Sequence, residues 1–134
     1  MKTPGSSRKQ TTDIADFLAL MNDWPESWEG VRADIALGQG FVEEMRPFII
    51  HLHSQGLSRK TVRRHLDNLW SIGGEIIRAV NDDDSLRRKK PGVLLLNSIE
   101  LGEAPLLYDF DESHQRSCDA TARKLLRFLT SKSC

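Results

Sequence analysis

Apolar residues recur at helical spacing from Val62 to Val80, and this stripe limits the fold more than any other feature of the chain. Val62, Leu66, Leu69, Gly73, Ile76 and Val80 fall on one face of a helix at about 100° per residue, flanked by Trp70 and Ile77. Ser58 stands where an N-cap belongs, so the spacing predicts a helix over Arg59–Val80. A stripe of this length leaves water only by packing against other helices, which makes the chain mainly α. Gly73-Gly74 in its middle weakens the helix by roughly 1 kcal/mol per glycine relative to alanine. The pair therefore points to close helix packing or a bend.

Other segments repeat the pattern. Residues 1–10 read as a polar, cationic tail, and residues 11–134 as one helical domain. Thr12 or Asp13 is positioned to cap a first helix carrying Ile14, Phe17, Leu18 and Met21, which ends over Asn22 to Pro25. A second short helix is expected over Trp28 to Leu37, broken by Gly38 and Gly40. Phe41, Val42, Met45, Phe48, Ile49 and Leu52 predict a helix over Phe41–His53, with Pro47 either kinking it or marking the first turn of a shorter one. Gly56 suits its C-terminal stop. Residues 81–90 read as a charged linker. Pro91 and Gly102 bracket a helix, although Val93 to Leu96 also suits a strand pairing with Leu106 to Tyr108 in a short hairpin within 93–110. A last helix is expected from about Asp111 to Thr130, with Cys118, Ala122, Leu125, Leu126 and Leu129 on its apolar face. The expected architecture is a compact bundle of five or six helices.

The charge is balanced, with 19 basic and 19 acidic residues among 134. That argues against nonspecific coating of nucleic acid but leaves room for a local basic face. The longest apolar run, Val93 to Leu96, is far shorter than the roughly 20 residues that span a bilayer, so no membrane role is expected. Two cysteines outside any CxxC pair, Cys118 and Cys134, read as reduced thiols of a cytoplasmic protein, with Cys118 buried and inert.

The stretch from Phe48 to Leu69 carries a more specific pattern. An apolar helix, Phe48-Ile49-Ile50-His51-Leu52-His53, ends in the turn Gly56-Leu57-Ser58; a basic, apolar-striped helix then opens Arg59-Lys60-Thr61-Val62-Arg63-Arg64. In this, residues 41–80 resemble the core-binding domain of tyrosine recombinases, the phage-integrase family. The resemblance implies a small SAM-like helical bundle that grips double-stranded DNA opposite a catalytic domain. Only residues 81–134 follow, however. His114-Gln115-Arg116 does not supply the family's His-x-x-Arg, and the sole tyrosine, Tyr108, has no arginine cluster around it in the sequence. The resemblance therefore implies a stand-alone DNA-binding accessory module and not an enzyme; the alternative is a module for protein interaction or self-association.

The candidate DNA contacts are Arg59, Lys60, Arg63 and Arg64, spread over about 140° mostly opposite the apolar stripe. The bland reading of these four is a solvated helix face. Arg87-Arg88-Lys89-Lys90 follows Asp82-Asp83-Asp84 and would enlarge a cationic surface if it folded beside the Arg59 helix. His51 and His53 point about 160° apart on a helix and cannot share a metal ion. His65, at the edge of the stripe, reads as a partly buried structural residue. Asp82-Asp83-Asp84 and Asp109-Phe110-Asp111 lack the ligand pattern of a calcium loop, with Ala120 where the closing glutamate would stand. Trp24, Trp28 and Trp70 read as packing residues. No nucleophile–base pair or phosphate-binding glycine loop is evident, and no cofactor is expected.

Overall fold

The computed structural model describes residues 14–131, and the cap expected at Thr12 or Asp13, the N-terminal tail and Cys134 lie outside them. Residues 14–20 form α1, which passes through a 3-10 turn, Met21–Asp23, into the short α2, Trp24–Ser27. Next come α3 (Asp34–Ser54), α4 (Arg59–Asp82), a 3-10 segment (Asp84–Arg88), α5 (Pro91–Ile99) and α6 (Glu112–Ser131). No strand occurs among the described residues, so residues 93–110 are a helix followed by a loop and not a hairpin. Pro91 at the start of α5 and Gly102 at φ +78° beyond its end supply the boundary chemistry.

The helices form a mainly α bundle around α4. Its predicted stripe is the core: Val62, Leu69 and Val80 are fully buried, with Leu66 and Ile76 nearly so, and Ile72, outside the predicted stripe, is fully buried as well. Phe41, Met45, Phe48, Ile49 and Leu52 of α3, Leu95 and Ile99 of α5, and Cys118, Ala122 and Leu125 of α6 complete it. Each large apolar side chain withdrawn from water contributes about 1.5–3 kcal/mol. The Ser58 Oγ accepts from the Thr61 amide at 3.1 Å and caps α4 as expected.

The structure corrects the reading of Gly38 and Gly40. They do not break a helix between Trp28 and Leu37; α3 runs unbroken through both, and through Pro47, to Ser54. Both glycines are notches. A Cβ on Gly38 would stand 3.0 Å from the Pro25 backbone and 3.1 Å from the Trp28 ring, and one on Gly40 would collide with Pro91. Close approach of α2 and α5 to α3 overrides the low helix propensity of glycine. Trp28 is not the start of a helix but the C-cap of α2. Its indole lies over Gly73 of α4 and donates from Nε1 to the Trp70 carbonyl at 3.0 Å.

A second anchor, absent from the sequence reading, fixes the start of α3. Asp34 is completely buried, and its Oδ2 accepts from the Gly30 and Val31 amides at 2.8 and 2.9 Å and from Asn81 Nδ2 at 3.0 Å. Arg87 Nη2 lies 2.8 Å from Asp34 Oδ1, and Arg87 Nε pairs with Asp84 at 2.8 Å. Burial alone would raise the Asp34 pKa. The hydrogen bonds from Asn81, Val31, Gly30 and Arg87 more than offset it and hold the carboxyl at about 2. The residues read as a charged linker are thus bound to the start of α3 and the end of α4.

Two substitutions test these anchors. A Cβ at Gly73 would sit 2.4 Å from the Trp28 ring, which its own hydrogen bond pins. Gly73→Ala should therefore destabilise by about 1–3 kcal/mol in denaturant unfolding, despite alanine's better helix propensity. Asp34→Ala leaves two amides and the Arg87 guanidinium without their shared carboxylate and should lower the melting temperature by several degrees. An unchanged melting temperature would refute the role given to Asp34.

Candidate nucleic-acid interface

The position of the basic side chains depends on how α6 lies against α4. The two helices run antiparallel and are joined by side-chain hydrogen bonds along their length. Ser71 Oγ is 3.4 Å from His114 Nε2, Asn68 Nδ2 donates to Ser117 Oγ at 2.9 Å, and His65 Nδ1 is 2.7 Å from Thr121 Oγ1. Asn68 Nδ2 also donates to Thr121 Oγ1 at 2.9 Å. Continued by one turn, this register sets the first turns of α4 level with the last turns of α6.

Those turns are rich in cations and free of carboxylates. Residues 45–66 contain no Asp or Glu, and neither do residues 120–131. Arg59, Lys60, Arg63 and Arg64 are all exposed on α4, as are Lys124 and Arg127 on α6. Lys124 and Arg127 together line a shallow depression of about 280 Å³ with His51 and Gln55 from the end of α3. Arg64 precedes His65 and Lys124 lies three residues beyond Thr121, so the 2.7 Å contact of His65 with Thr121 brings the two cations to the same end of the bundle. The helix dipole adds positive potential at the start of α4.

The four predicted residues are not equivalent. The Arg59 guanidinium lies 5.8 Å from the Phe17 ring centroid. Arg63 Nε is 3.4 Å from Asp67 Oδ1, with both side chains more than half exposed. Such a surface pair is worth little and yields easily to a phosphate. Lys60, Arg64, Lys124 and Arg127 form no ion pair among the described residues. The sequence reading missed Lys124 and Arg127; their signal was the absence of acids after Asp119. Arg87 of the run Arg87 to Lys90 does not enlarge this surface. Arg87 packs beside Asn81, at the other end of α4 and about 25 Å from Arg64 at 1.5 Å rise per residue.

The remaining candidates are structural in their contacts. No group of three metal-ligating side chains occurs among the described residues, and the His51 ring lies against Phe128 at 5.0 Å. Asp111 caps α6 by accepting from the His114 amide at 3.0 Å. Trp24 and Trp28 are buried, whereas Trp70 is half-exposed beside a groove of about 430 Å³ that also involves Leu20, Arg63, Ser71 and His114. At this groove Asp109 Oδ2, His114 Nδ1, His114 Nε2 and Ser71 Oγ follow one another in relay order, at 2.8 and 3.4 Å. Ser71 lies within α4, where its amide belongs to the helix, and both nearby indole N–H groups are committed, to the Trp70 carbonyl and to Ser27 Oγ. Its geometry fits a clasp between the loop and α4 better than an activated nucleophile, which needs donors for an oxyanion.

His65 is fully buried, not partly so as its place at the edge of the stripe suggested. The Thr121 hydroxyl has one proton, which serves either His65 Nδ1 or the Ser117 carbonyl. His65 Nε2 has no hydrogen-bond partner among the described residues. Burial, reinforced by Arg64 and Lys124, lowers the His65 pKa to about 4. The Cys118 thiol beside the same seam is pushed up to about 12, mainly by burial.

An acid-sensitive seam follows. Between the unfolded pKa near 6.5 and the folded value near 4, the unfolded chain binds a proton at His65 that the native chain refuses. Stability should therefore fall as pH drops through that window, by on the order of 3 kcal/mol, and level off below it as far as His65 is concerned. Urea unfolding of the wild type and of His65→Gln across pH 7 to 4 measures this; equal slopes in the two proteins would refute it. No protein-family model, curated protein or solved structure matches the chain.

Proposed function

We propose that the chain is a non-catalytic DNA-binding module that holds the phosphate backbone of a duplex with the basic end of its bundle, where the first turns of α4 meet the last turns of α6. The observation that carries this reading is the meeting, at one end of α4 and α6, of two segments without a carboxylate in a chain of zero net charge. Lys60 and Arg64 on α4 and Lys124 and Arg127 on α6 form the centre of the contact, with Arg59 and Arg63 beside them. Phosphate contacts of this kind fix position and orientation without reading bases, so binding is salt-sensitive and only weakly sequence-dependent. The similarity of residues 41–80 to an integrase core-binding domain supports the same reading, as a gripping module separate from any cutting domain.

Titration of a labelled duplex at several salt concentrations tests the proposal. The logarithm of the affinity should fall linearly with the logarithm of salt, and each basic residue removed should flatten the slope by about 0.9. A variant with Arg59, Lys60, Arg63 and Arg64 changed to Gln, and a second with Lys124→Gln and Arg127→Gln, should each weaken binding to all sequences alike. Salt-insensitive binding, or variants that bind as well as the wild type, would refute it.

A further inference from the structure

The loop between α5 and α6 is built unlike a connector. Leu101, Leu106, Tyr108 and Phe110 are 86, 71, 68 and 74% exposed. The backbone beneath them is nevertheless tied down. Asp119 Oδ1 accepts from the Ala104 amide at 2.9 Å, Gln115 Oε1 from the Leu107 amide at 2.8 Å and Glu75 Oε2 from the Tyr108 amide at 2.8 Å. Leu107 is the buried plug of the segment. Arg78 lies over the Tyr108 ring at 4.5 Å. Phe110 has φ +55°, a left-handed conformation that a bulky side chain rarely adopts. Strain and exposed apolar area, held rigid together, do nothing for folding, but they lower the ordering cost of association.

The charge around the loop selects the partner. Residues 91–115 contain no Lys or Arg but do contain Glu100, Glu103, Asp109, Asp111 and Glu112, five acids against the two arginines that pack on the loop, Arg78 over Tyr108 and Arg123 at the Gly102 carbonyl. Carboxylates on both sides of Phe110 repel a nucleic acid or an anionic lipid surface and favour a cationic one. The same chain carries such a surface around Lys60, Arg64, Lys124 and Arg127, at the end of α4 and α6 away from Tyr108, which lies by Glu75 and Arg78. We infer that the loop docks on the basic end of a second copy of this chain, in a head-to-tail contact. In such a heterologous contact a pair of copies keeps one loop and one basic end unused, so the association extends with concentration unless it closes into a ring. Duplex DNA and the loop then compete for the same cations, although the self-contact does not depend on DNA binding.

Sedimentation velocity on the full chain tests the inference. The wild type should show concentration-dependent association that weakens with added salt. Phe110→Asn combined with Leu106→Ser should be monomeric and still fold, since asparagine tolerates a positive φ and both side chains are exposed. A variant with Lys60, Arg64, Lys124 and Arg127 changed to Gln should be monomeric as well. An equimolar mixture of the two variants should form a dimer and nothing larger, because only the basic end of the first can meet the loop of the second. A monomeric wild type, a loop variant that associates like the wild type, or a mixture that stays monomeric would each overturn the inference. The loop variant should keep its salt-dependent binding to a labelled duplex, which separates failure of this inference from failure of the DNA-binding reading.

Discussion

Apolar helix faces can slide and rotate on one another at little cost, but buried hydrogen bonds cannot. Between α4 and α6, His65, Asn68, Ser117 and Thr121 form a polar ladder inside an otherwise oily contact. Moving α6 by one turn would leave these groups buried without partners, each at a cost of about 1–3 kcal/mol. The ladder therefore sets a single register. That register brings the cations of α6 level with those of α4 and carries the loop before α6 to the Ser71–Arg78 stretch of α4.

The opposite end of the bundle is organised by a carboxylate. Asp34 gathers two amides of the turn before α3, the Asn81 amide near the end of α4 and the Arg87 guanidinium beyond it. Three separate stretches of chain are bound by one side chain, and a cation that could have faced solvent is neutralised. The zero net charge is thus unevenly distributed. Paired charges gather around Asp34, the first turns of α4 and the last turns of α6 carry cations and no acids in their own sequence, and residues 91–115 carry acids and no Lys or Arg.

Elements governed by local chemistry were legible in the sequence. Ser58, the stripe from Val62 to Val80 and Gly56 defined α4 and the stop before it, while Pro91 and Gly102 bracketed α5 without deciding between helix and hairpin, because Val93 to Leu96 suits both. Features that depend on distant residues were not. Gly38 and Gly40 carry the same local signal whether they end a helix or admit a neighbour, and only the positions of Pro25 and Pro91 distinguish the two. Asp34 reads as an ordinary first-turn acid until Asn81, 47 residues away, is brought to it. Lys60 and Arg64 were visible as a cluster on one helix. Lys124 and Arg127 could join them only once the pairing of α4 with α6 was known.

The seam that fixes this register also shields a thiol. Cys118 Sγ lies 3.9 Å from the Asn68 carbonyl, fully buried, with its ionisation pushed up to about 12. Thiolate chemistry at that sulfur is therefore closed to oxidants while the helices stay together. Any molecule that has lost its seam exposes Cys118 to irreversible oxidation, and a sulfonate there would no longer fit beneath α4. Oxidative damage at this position would thus accumulate selectively in copies that have already opened, and would prevent them from closing again.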